Sequence, residues 1–189
     1  MSKNNNIITT NLTNHILISS PTLNHPLFGG SVVYITEHLQ IGSVGVVINK
    51  PISDTLGNMF ENFNFDERHP ELAKNQLYWG GPNKRYSGFF LKQNTNTPNK
   101  PYELTCNRDY LNDILINKTP FFMSIGFACW ERMQIEDEIM RNIWIVSTCN
   151  IEDMLLIKPE DRYQEAFKMT GFVDMAKFCS NYNAIPHFA

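Results

Sequence analysis

Carboxylate, histidine and serine side chains lie close together in one short stretch of the sequence. Glu37 and His38 are adjacent, Ser43 follows five residues later, and Asn49 ends the stretch. These residue types occur in hydrolytic sites, where a base takes a proton from a nucleophile. The surrounding sequence, Gly42-Ser43-Val44-Gly45, lacks the Gly-x-Ser-x-Gly pattern that exposes a nucleophile between a strand and a helix. We therefore do not expect Ser43 to act as a nucleophile.

These residues fall on two β-rich segments, 31–38 and 43–49, joined by Leu39-Gln40-Ile41-Gly42. A four-residue loop that ends in glycine predicts a β-hairpin, and an uninterrupted register from residue pair 38/43 places Tyr34 opposite Val47. Alternation divides the side chains between two faces. The predicted buried face contains Val33, Ile35, Val44, Val46 and Ile48, with Glu37 at its rim. The predicted mixed face contains Val32, Tyr34, Thr36, His38, Ser43, Gly45, Val47 and Asn49.

The hairpin also determines how far apart the candidate catalytic groups lie. The same register places Asn49 opposite Val32, which is six strand residues, or roughly 20 Å, from His38. Glu37 and His38 point to opposite faces because side chains alternate along a strand. The sequence therefore argues against one acid–base site formed by Glu37, His38 and Asn49.

The acidic run Glu136-Asp137-Glu138 suggests a metal site but does not have the spacing for one. Consecutive helix residues point about 100° apart, so three such carboxylates cannot converge on one ion. The run instead predicts a solvated helix face. The four cysteines form no Cys-x-x-Cys pair, and the histidines have no His-x-x-His or His-Glu-x-x-His spacing. We therefore expect no metal and no cofactor.

Length and charge narrow the functional classes further. The 189 residues suit one domain, and the net charge of −3 gives no surface that would follow a nucleic-acid backbone. The only adjacent basic pair is Lys84-Arg85, which is typical of a solvated loop. Residues 1–14 lack the apolar core of a secretory signal, and the longest apolar run, 121–130, is about half a membrane span. We expect a cytoplasmic protein without nucleic-acid or membrane binding.

Outside the hairpin, the pattern mixes short strands with amphipathic helices, which predicts an α+β domain. The predicted strands are 15–19, 76–79, 88–91, 121–126 and 143–147. The predicted helical segments are 54–63, 109–117, 133–142 and 159–169, with Asp54 or Ser53 as the first cap, and 151–156 is predicted to be a short turn or helix. The polar segment 93–101 is predicted to be a mobile loop.

Several sequence blocks occur in an order that identifies a family resemblance. They are Leu17-Ile18-Ser19-Ser20-Pro21-Thr22-Leu23, Phe28, residues 31–38, Gly45-Val46-Val47-Ile48-Asn49-Lys50-Pro51, Gly80-Gly81-Pro82, Gly126-Phe127-Ala128-Cys129-Trp130, Gln134-Ile135-Glu136-Asp137-Glu138-Ile139 and Trp144. Together they resemble the AlgH/YqgE-like proteins over nearly the whole chain. Two positions depart from the family pattern, because Asn83 replaces a valine and Met133 replaces the glycine expected before Gln134.

The resemblance implies a single α+β domain with a bent, partly barrel-like β-sheet and a few flanking helices. This domain would cover residues 15–189 and follow a flexible polar N-terminal arm, residues 1–14. The resemblance also implies a cytoplasmic bacterial protein from a family whose activity is not established.

Two hypotheses about function follow from the residues and the resemblance. The first is a non-enzymatic regulatory or interaction protein that acts through an unknown protein partner or a small ligand. The alternative is a small-molecule hydrolase with its site near Pro21, His38, Asn49 and the Gly80-Gly81-Pro82 turn. For the first hypothesis we predict a binding groove with His38 and Asn49 at separate ends. The predicted groove residues are Pro21, Tyr34, Thr36, His38, Asn49, Gly80, Gly81, Pro82 and Trp130.

Overall fold

The structure is a computed structural model that describes residues 11–55, 75–94, 101–107, 109–110 and 122–170. These residues form nine β-strands and three α-helices. The strands are β1 (Ile16–Ser19), β2 (Val32–Leu39), β3 (Gly42–Val47), β4 (Pro51–Thr55), β5 (Gln76–Trp79), β6 (Asn83–Gln93), β7 (Tyr102–Thr105), β8 (Phe122–Glu131) and β9 (Trp144–Ser147). The helices are α1 (Gln134–Met140), α2 (Ile151–Leu156) and α3 (Arg162–Met169).

All nine strands belong to one mixed sheet, which confirms the predicted α+β class. The strand order is β4-β5-β8-β3-β2-β1-β9, and β6 and β7 are attached through β8. The first half of β8 pairs with β5 in parallel and with β6 antiparallel, whereas its second half pairs with β3. The two halves meet at Gly126, whose φ of 70° interrupts the regular strand geometry.

The central hairpin departs from its predicted register over part of its length. His38 pairs with Ser43 as predicted, but a β-bulge at Thr36 places Tyr34 opposite Val46, one position short of the predicted partner. The predicted register was therefore wrong beyond the bulge. A bulge adds one unpaired residue to one strand, and the alternating sequence pattern carries no mark of it.

The bulge also redistributes the hairpin side chains between two buried faces. Val32, Tyr34, Val46 and Ile48 pack in a core with α2 and α3. Val33, Ile35 and Val47 pack in a second core with α1, Trp130 and Trp144. The prediction that Val33, Ile35, Val46 and Ile48 share one face was wrong, although all four are fully buried.

The first described residues are packed against the sheet. Residues 11–14, assigned from the sequence to the flexible arm, contact β2: the Asn14 N–H donates to the Ile35 carbonyl at 2.9 Å. The Tyr34 hydroxyl donates to Asn14 Oδ1 at 2.9 Å, and Leu12 is buried. These long-range contacts explain why a polar segment adopts fixed positions. Residues 1–10 lie outside the described residues.

Local patterns predicted several elements well. β5 has the predicted bounds, and segment 151–156, predicted as a turn or a helix, is the helix α2; β8 extends to Glu131, and α3 begins only at Arg162. Asp54, predicted as a helix cap, lies in β4, which pairs with β5. In the structure, pairing with β5 provides hydrogen-bond partners for backbone N–H and C=O groups of this segment, which a helix would have bonded within itself. The rest of predicted helix 54–63, most of helix 109–117 and most of loop 93–101 lie outside the described residues.

Candidate functional site

His38 lies at the junction of the hairpin and α1. Its Nδ1 is 3.0 Å from Ser43 Oγ, and its Nε2 is 3.5 Å from Glu136 Oε1. The bulge makes this contact possible, because it turns His38 to the face on which α1 packs against β3 and β8. Glu136 Oε2 is buried without a hydrogen-bond partner among the described residues.

Ser43, His38 and Glu136 contact one another in the same sequence as the residues of a hydrolytic triad, but a substrate cannot reach the serine. Ser43 is the cross-strand neighbour of both His38 and Trp130, and only 3% of its surface is exposed. A nucleophilic hydroxyl must come within about 3 Å of the substrate atom that it attacks. The contacts of His38 with Ser43 and Glu136 therefore have a structural role, because they hold α1 against the hairpin. The acid that His38 contacts is Glu136, and not the neighbouring Glu37.

Glu138 holds two tryptophan rings against α1. Its Oε2 accepts hydrogen bonds from Trp130 Nε1 at 2.8 Å and Trp144 Nε1 at 2.7 Å, and its Oε1 accepts from Gln134 Nε2 at 2.9 Å. The prediction of a solvated face was wrong for Glu136 and Glu138, because buried indole N–H groups and His38 recruit these carboxylates. Two buried tryptophans flanking an acidic helix are a signal that could have identified Glu138.

Asn49 and Lys50 are occupied in holding the loop before β2. Asn49 Oδ1 accepts from the Val32 N–H at 2.8 Å, and Asn49 Nδ2 donates to the Gly30 carbonyl at 2.8 Å. Lys50 Nζ donates to the Leu27 and Gly29 carbonyls at 2.6 and 3.0 Å. Burial lowers the pKa of Lys50. Asn49 therefore lies at the opposite end of the hairpin from His38, as predicted.

The Gly80-Gly81-Pro82 turn packs directly on β8. The Gly80 N–H donates to the Ile125 carbonyl, and the Gly80 carbonyl accepts from the Val47 N–H, both at 2.9 Å. A side chain at Gly81 would collide with the Phe127 backbone. The turn therefore meets the segment 126–130 through close packing of backbone on backbone.

The predicted groove residues thus separate into buried and partly accessible groups. Tyr34 and Thr36 are each 1% exposed, and Trp130 is buried, so these three do not line an open groove. Alternation placed Tyr34 and Thr36 on a half-covered face, and the family block 126–130 brought Trp130 to it, whereas both faces of the hairpin are covered. Pro21 is partly buried and Pro82 is exposed. A binding role for the accessible members stays a prediction.

A cavity of about 320 Å³ lies on the other side of the sheet, between β5, β6, β7, β8, α2 and α3. It was not predicted, because residues far apart in the sequence form its wall. Tyr78 and Phe122 stack within this wall at a centroid distance of 4.6 Å. The lining residues are Tyr78, Leu91, Tyr102, Phe122, Glu152, Leu155, Leu156 and Arg162.

Three lining residues give the cavity its polar character. The Tyr102 hydroxyl donates to Glu152 Oε1 at 2.8 Å. Burial, with the hydrogen bond and charge of Glu152, raises the pKa of Tyr102 to about 12. Arg162 is buried in the wall, with its guanidinium 5.2 Å from the Tyr78 ring centroid.

Comparison with known proteins identifies the family. A family model described as AlgH-like matches residues 16–174. The chain belongs to the AlgH-like family. A UPF0301 protein of Coxiella burnetii is 33% identical over 162 residues, covering 85% of this chain and 90% of that protein. A UPF0301 protein of Ralstonia pickettii is 35% identical over 170 residues, covering 85% of this chain and 89% of that protein.

Two solved structures have the same fold. The solution structure of AlgH from Pseudomonas aeruginosa matches with a TM-score of 0.72 at 24% identity, covering 91% of this chain and 95% of that one. A crystal structure from Corynebacterium diphtheriae matches with a TM-score of 0.64 at 18% identity, covering 82% and 84%. The printed names of these two proteins indicate no reaction.

The described part of this AlgH-like chain contains no cluster of three or more histidine, cysteine, aspartate or glutamate residues suited to a metal ion. Within the same residues, every helix is too short or too polar to cross a membrane.

Met133 occupies a backbone conformation that favours glycine, the residue expected there from the AlgH-like pattern. It precedes α1 with φ of 63° and ψ of 0°, in the left-handed region. This conformation costs a residue with a side chain roughly 1–2 kcal/mol, because Cβ crowds the following carbonyl. Glycine relieves this strain but adds entropy to the unfolded chain, which offsets part of the gain. Met133→Gly should therefore raise the free energy of unfolding by about 0.5–1 kcal/mol, as measured by urea titration.

Met140, the other exposed methionine of this region, serves as the control. It is the last residue of α1 and has helical geometry, so Met140→Gly should lower the free energy of unfolding by about 0.5 kcal/mol. A loss of stability in Met133→Gly comparable to that in Met140→Gly would contradict the strain argument.

Proposed function

We propose that this protein is a cytoplasmic, non-enzymatic regulatory or interaction protein that acts by binding a small ligand or a protein partner. The observation that carries the proposal is the cavity beside α2 and α3. Small-molecule sites have volumes of roughly 300–1,000 Å³ and apolar walls with a few polar groups. The cavity has six apolar or aromatic lining residues and two charged ones, which agrees with that description.

The hydrolase alternative has one observation in its favour, the contacts of His38 with Ser43 and Glu136. A hydrolytic site needs two or three reactive groups within about 3 Å of one accessible point. Ser43 is buried, and the side chain of Asn49 is bound to backbone groups at the far end of the hairpin. These positions favour binding over hydrolysis.

The net charge also favours a partner other than nucleic acid. The chain carries 16 lysine and arginine residues against 19 aspartate and glutamate residues. Direct binding to a phosphate backbone requires clustered basic side chains. We therefore propose that any role in gene regulation is exerted through a ligand or a protein.

A ligand screen with matched leucine variants tests the proposal. Leu156 lines the cavity and is 86% exposed, so Leu156→Ala should leave the fold intact. Small molecules that raise the melting temperature of the wild-type protein should bind Leu156→Ala about fivefold more weakly, because apolar contact is lost. Isothermal titration calorimetry measures these affinities.

Leu39→Ala provides the control, because Leu39 is also an exposed leucine, 54%, but lies at the tip of the hairpin. It should bind the same molecules with wild-type affinity. Equal weakening in both variants would contradict binding in the cavity. A hydrolytic activity that disappears in folded His38→Ala would support the alternative and contradict a purely binding role.

A further inference from the structure

Arg162 brings a buried positive charge to the wall of the cavity. Only 3% of its surface is exposed. Its Nε donates to the Ile157 carbonyl at 2.9 Å, one Nη donates to the Leu155 carbonyl at 3.0 Å, and the other Nη donates to the Ile48 carbonyl. A guanidinium has five N–H groups. In the described part of the chain, the other two have no acceptor.

Within the described residues, the charge of Arg162 meets neutral groups. No ion pair among the described residues includes Arg162, and its acceptors are neutral carbonyl groups. A buried charge is unfavourable unless it is paired and hydrogen-bonded. An anion bound beside Arg162 would supply the missing charge and accept bonds in the paired geometry that a guanidinium offers to a carboxylate.

Glu152 limits how much negative charge the cavity tolerates. Its side chain lines the cavity, and Oε1 already accepts a bond from the Tyr102 hydroxyl. A ligand with a second negative charge would meet repulsion from this carboxylate, which selects against phosphates and dicarboxylates. The remaining wall is apolar and includes the stacked rings of Tyr78 and Phe122, which suit a flat or branched hydrocarbon body.

We propose that the cavity binds a small molecule that carries one carboxylate on an aromatic or aliphatic body. The carboxylate pairs with Arg162, and the body contacts Tyr78, Phe122 and the leucines of α2. This inference rests on the proposed function, because it names the chemical class of ligand for the same cavity.

Three probes with one hydrocarbon body test the charge requirement. They are 3-phenylpropionate, its neutral amide 3-phenylpropanamide, and the dianion phenylsuccinate. Calorimetric titration of the full chain should show that 3-phenylpropionate binds about tenfold or more tightly than the amide, because only the acid forms charge-assisted bonds with Arg162. Phenylsuccinate should bind about fivefold more weakly than 3-phenylpropionate because of Glu152.

A matched pair of variants on α2 tests the role of Glu152. Glu152→Gln should remove the penalty against phenylsuccinate while 3-phenylpropionate still binds. Asp153→Asn removes the neighbouring exposed carboxylate, which does not line the cavity, and should retain the wild-type preference. Arg162 stays intact in these tests, because its carbonyl bonds anchor α2 and its removal would confuse binding with folding.

The outcomes separate this inference from the proposed function. Equal affinity for the acid and the amide would overturn the carboxylate requirement. The requirement would also be overturned if the molecules found in the ligand screen were neutral and bound more weakly to Leu156→Ala than to the wild-type protein. In that second case the cavity remains a binding site and the proposed function stands. Loss of the phenylsuccinate penalty in both Glu152→Gln and Asp153→Asn would refute the assigned role of Glu152.

Discussion

Gly126→Ala should prevent the chain from folding. A Cβ atom at residue 126 would collide with the Gly81 carbonyl oxygen and lie 2.7 Å from the Asn83 carbonyl oxygen. Both neighbours are backbone atoms of the segment that packs on β8, so neither can move without separating the strands. We expect a loss of more than about 4 kcal/mol in the free energy of unfolding, beyond the range of most single substitutions. Circular dichroism and the yield of soluble protein measure the outcome.

Gly30→Ala is the matched control for this prediction. Gly30 has φ of 67°, nearly the same as Gly126, but a Cβ atom there would meet nothing within 4 Å. The variant should fold and lose only about 1–2 kcal/mol, the cost of a left-handed alanine. The difference between the two variants therefore isolates close packing from backbone strain. Similar stabilities would show that β8 and the Gly80-Gly81-Pro82 turn are not in contact.

Glu138→Ala should lower the free energy of unfolding by about 3 kcal/mol. The substitution leaves the buried N–H groups of Trp130 and Trp144 without an acceptor, and each such loss costs roughly 1–3 kcal/mol. Glu138→Gln retains an oxygen acceptor for both indoles and should lose only about 1 kcal/mol. Urea unfolding, followed by tryptophan fluorescence, measures both values.

Asp137→Ala tests whether this effect belongs to one position in the acidic run. Asp137 pairs with Arg141 at 2.9 Å on the surface of α1, and such exposed pairs contribute little. We expect a change within about 0.5 kcal/mol. A loss in Asp137→Ala as large as that in Glu138→Ala would indicate that α1 depends on its total charge and not on the two indole bonds.

Local sequence patterns predicted the elements whose environment lies within a few neighbouring residues. β5 was predicted with its observed bounds, because turn residues delimit it, and segment 151–156, predicted as a turn or a helix, is the helix α2. The hairpin was predicted at its tip, where loop length determines the pairing of His38 and Ser43. Beyond Thr36 the prediction failed, because alternation alone does not mark a bulge; in the structure the Thr36 hydroxyl donates to the Val44 carbonyl across it.

For the candidate site, the sequence predicted which residues lie far apart but not which residues meet. The separation of His38 from Asn49 follows from strand geometry and is observed. The contact between His38 and Glu136 joins residues nearly one hundred positions apart, and the cavity joins strands to α2 and α3. Such arrangements depend on how the elements pack. A single sequence specifies them only through the complete fold.

The bulge at Thr36 also determines how the hairpin can change in length. A chain that lost residue 36 would keep every observed residue pair between β2 and β3, because residue 36 is unpaired in the register and contributes only a hydroxyl bond to the Val44 carbonyl. Loss of Tyr34 would instead place Ile35 opposite Val46, in the layer of the sheet that Tyr34 now occupies. A deletion at Thr36 therefore preserves both the alignment of His38 with α1 and the layer of every other side chain.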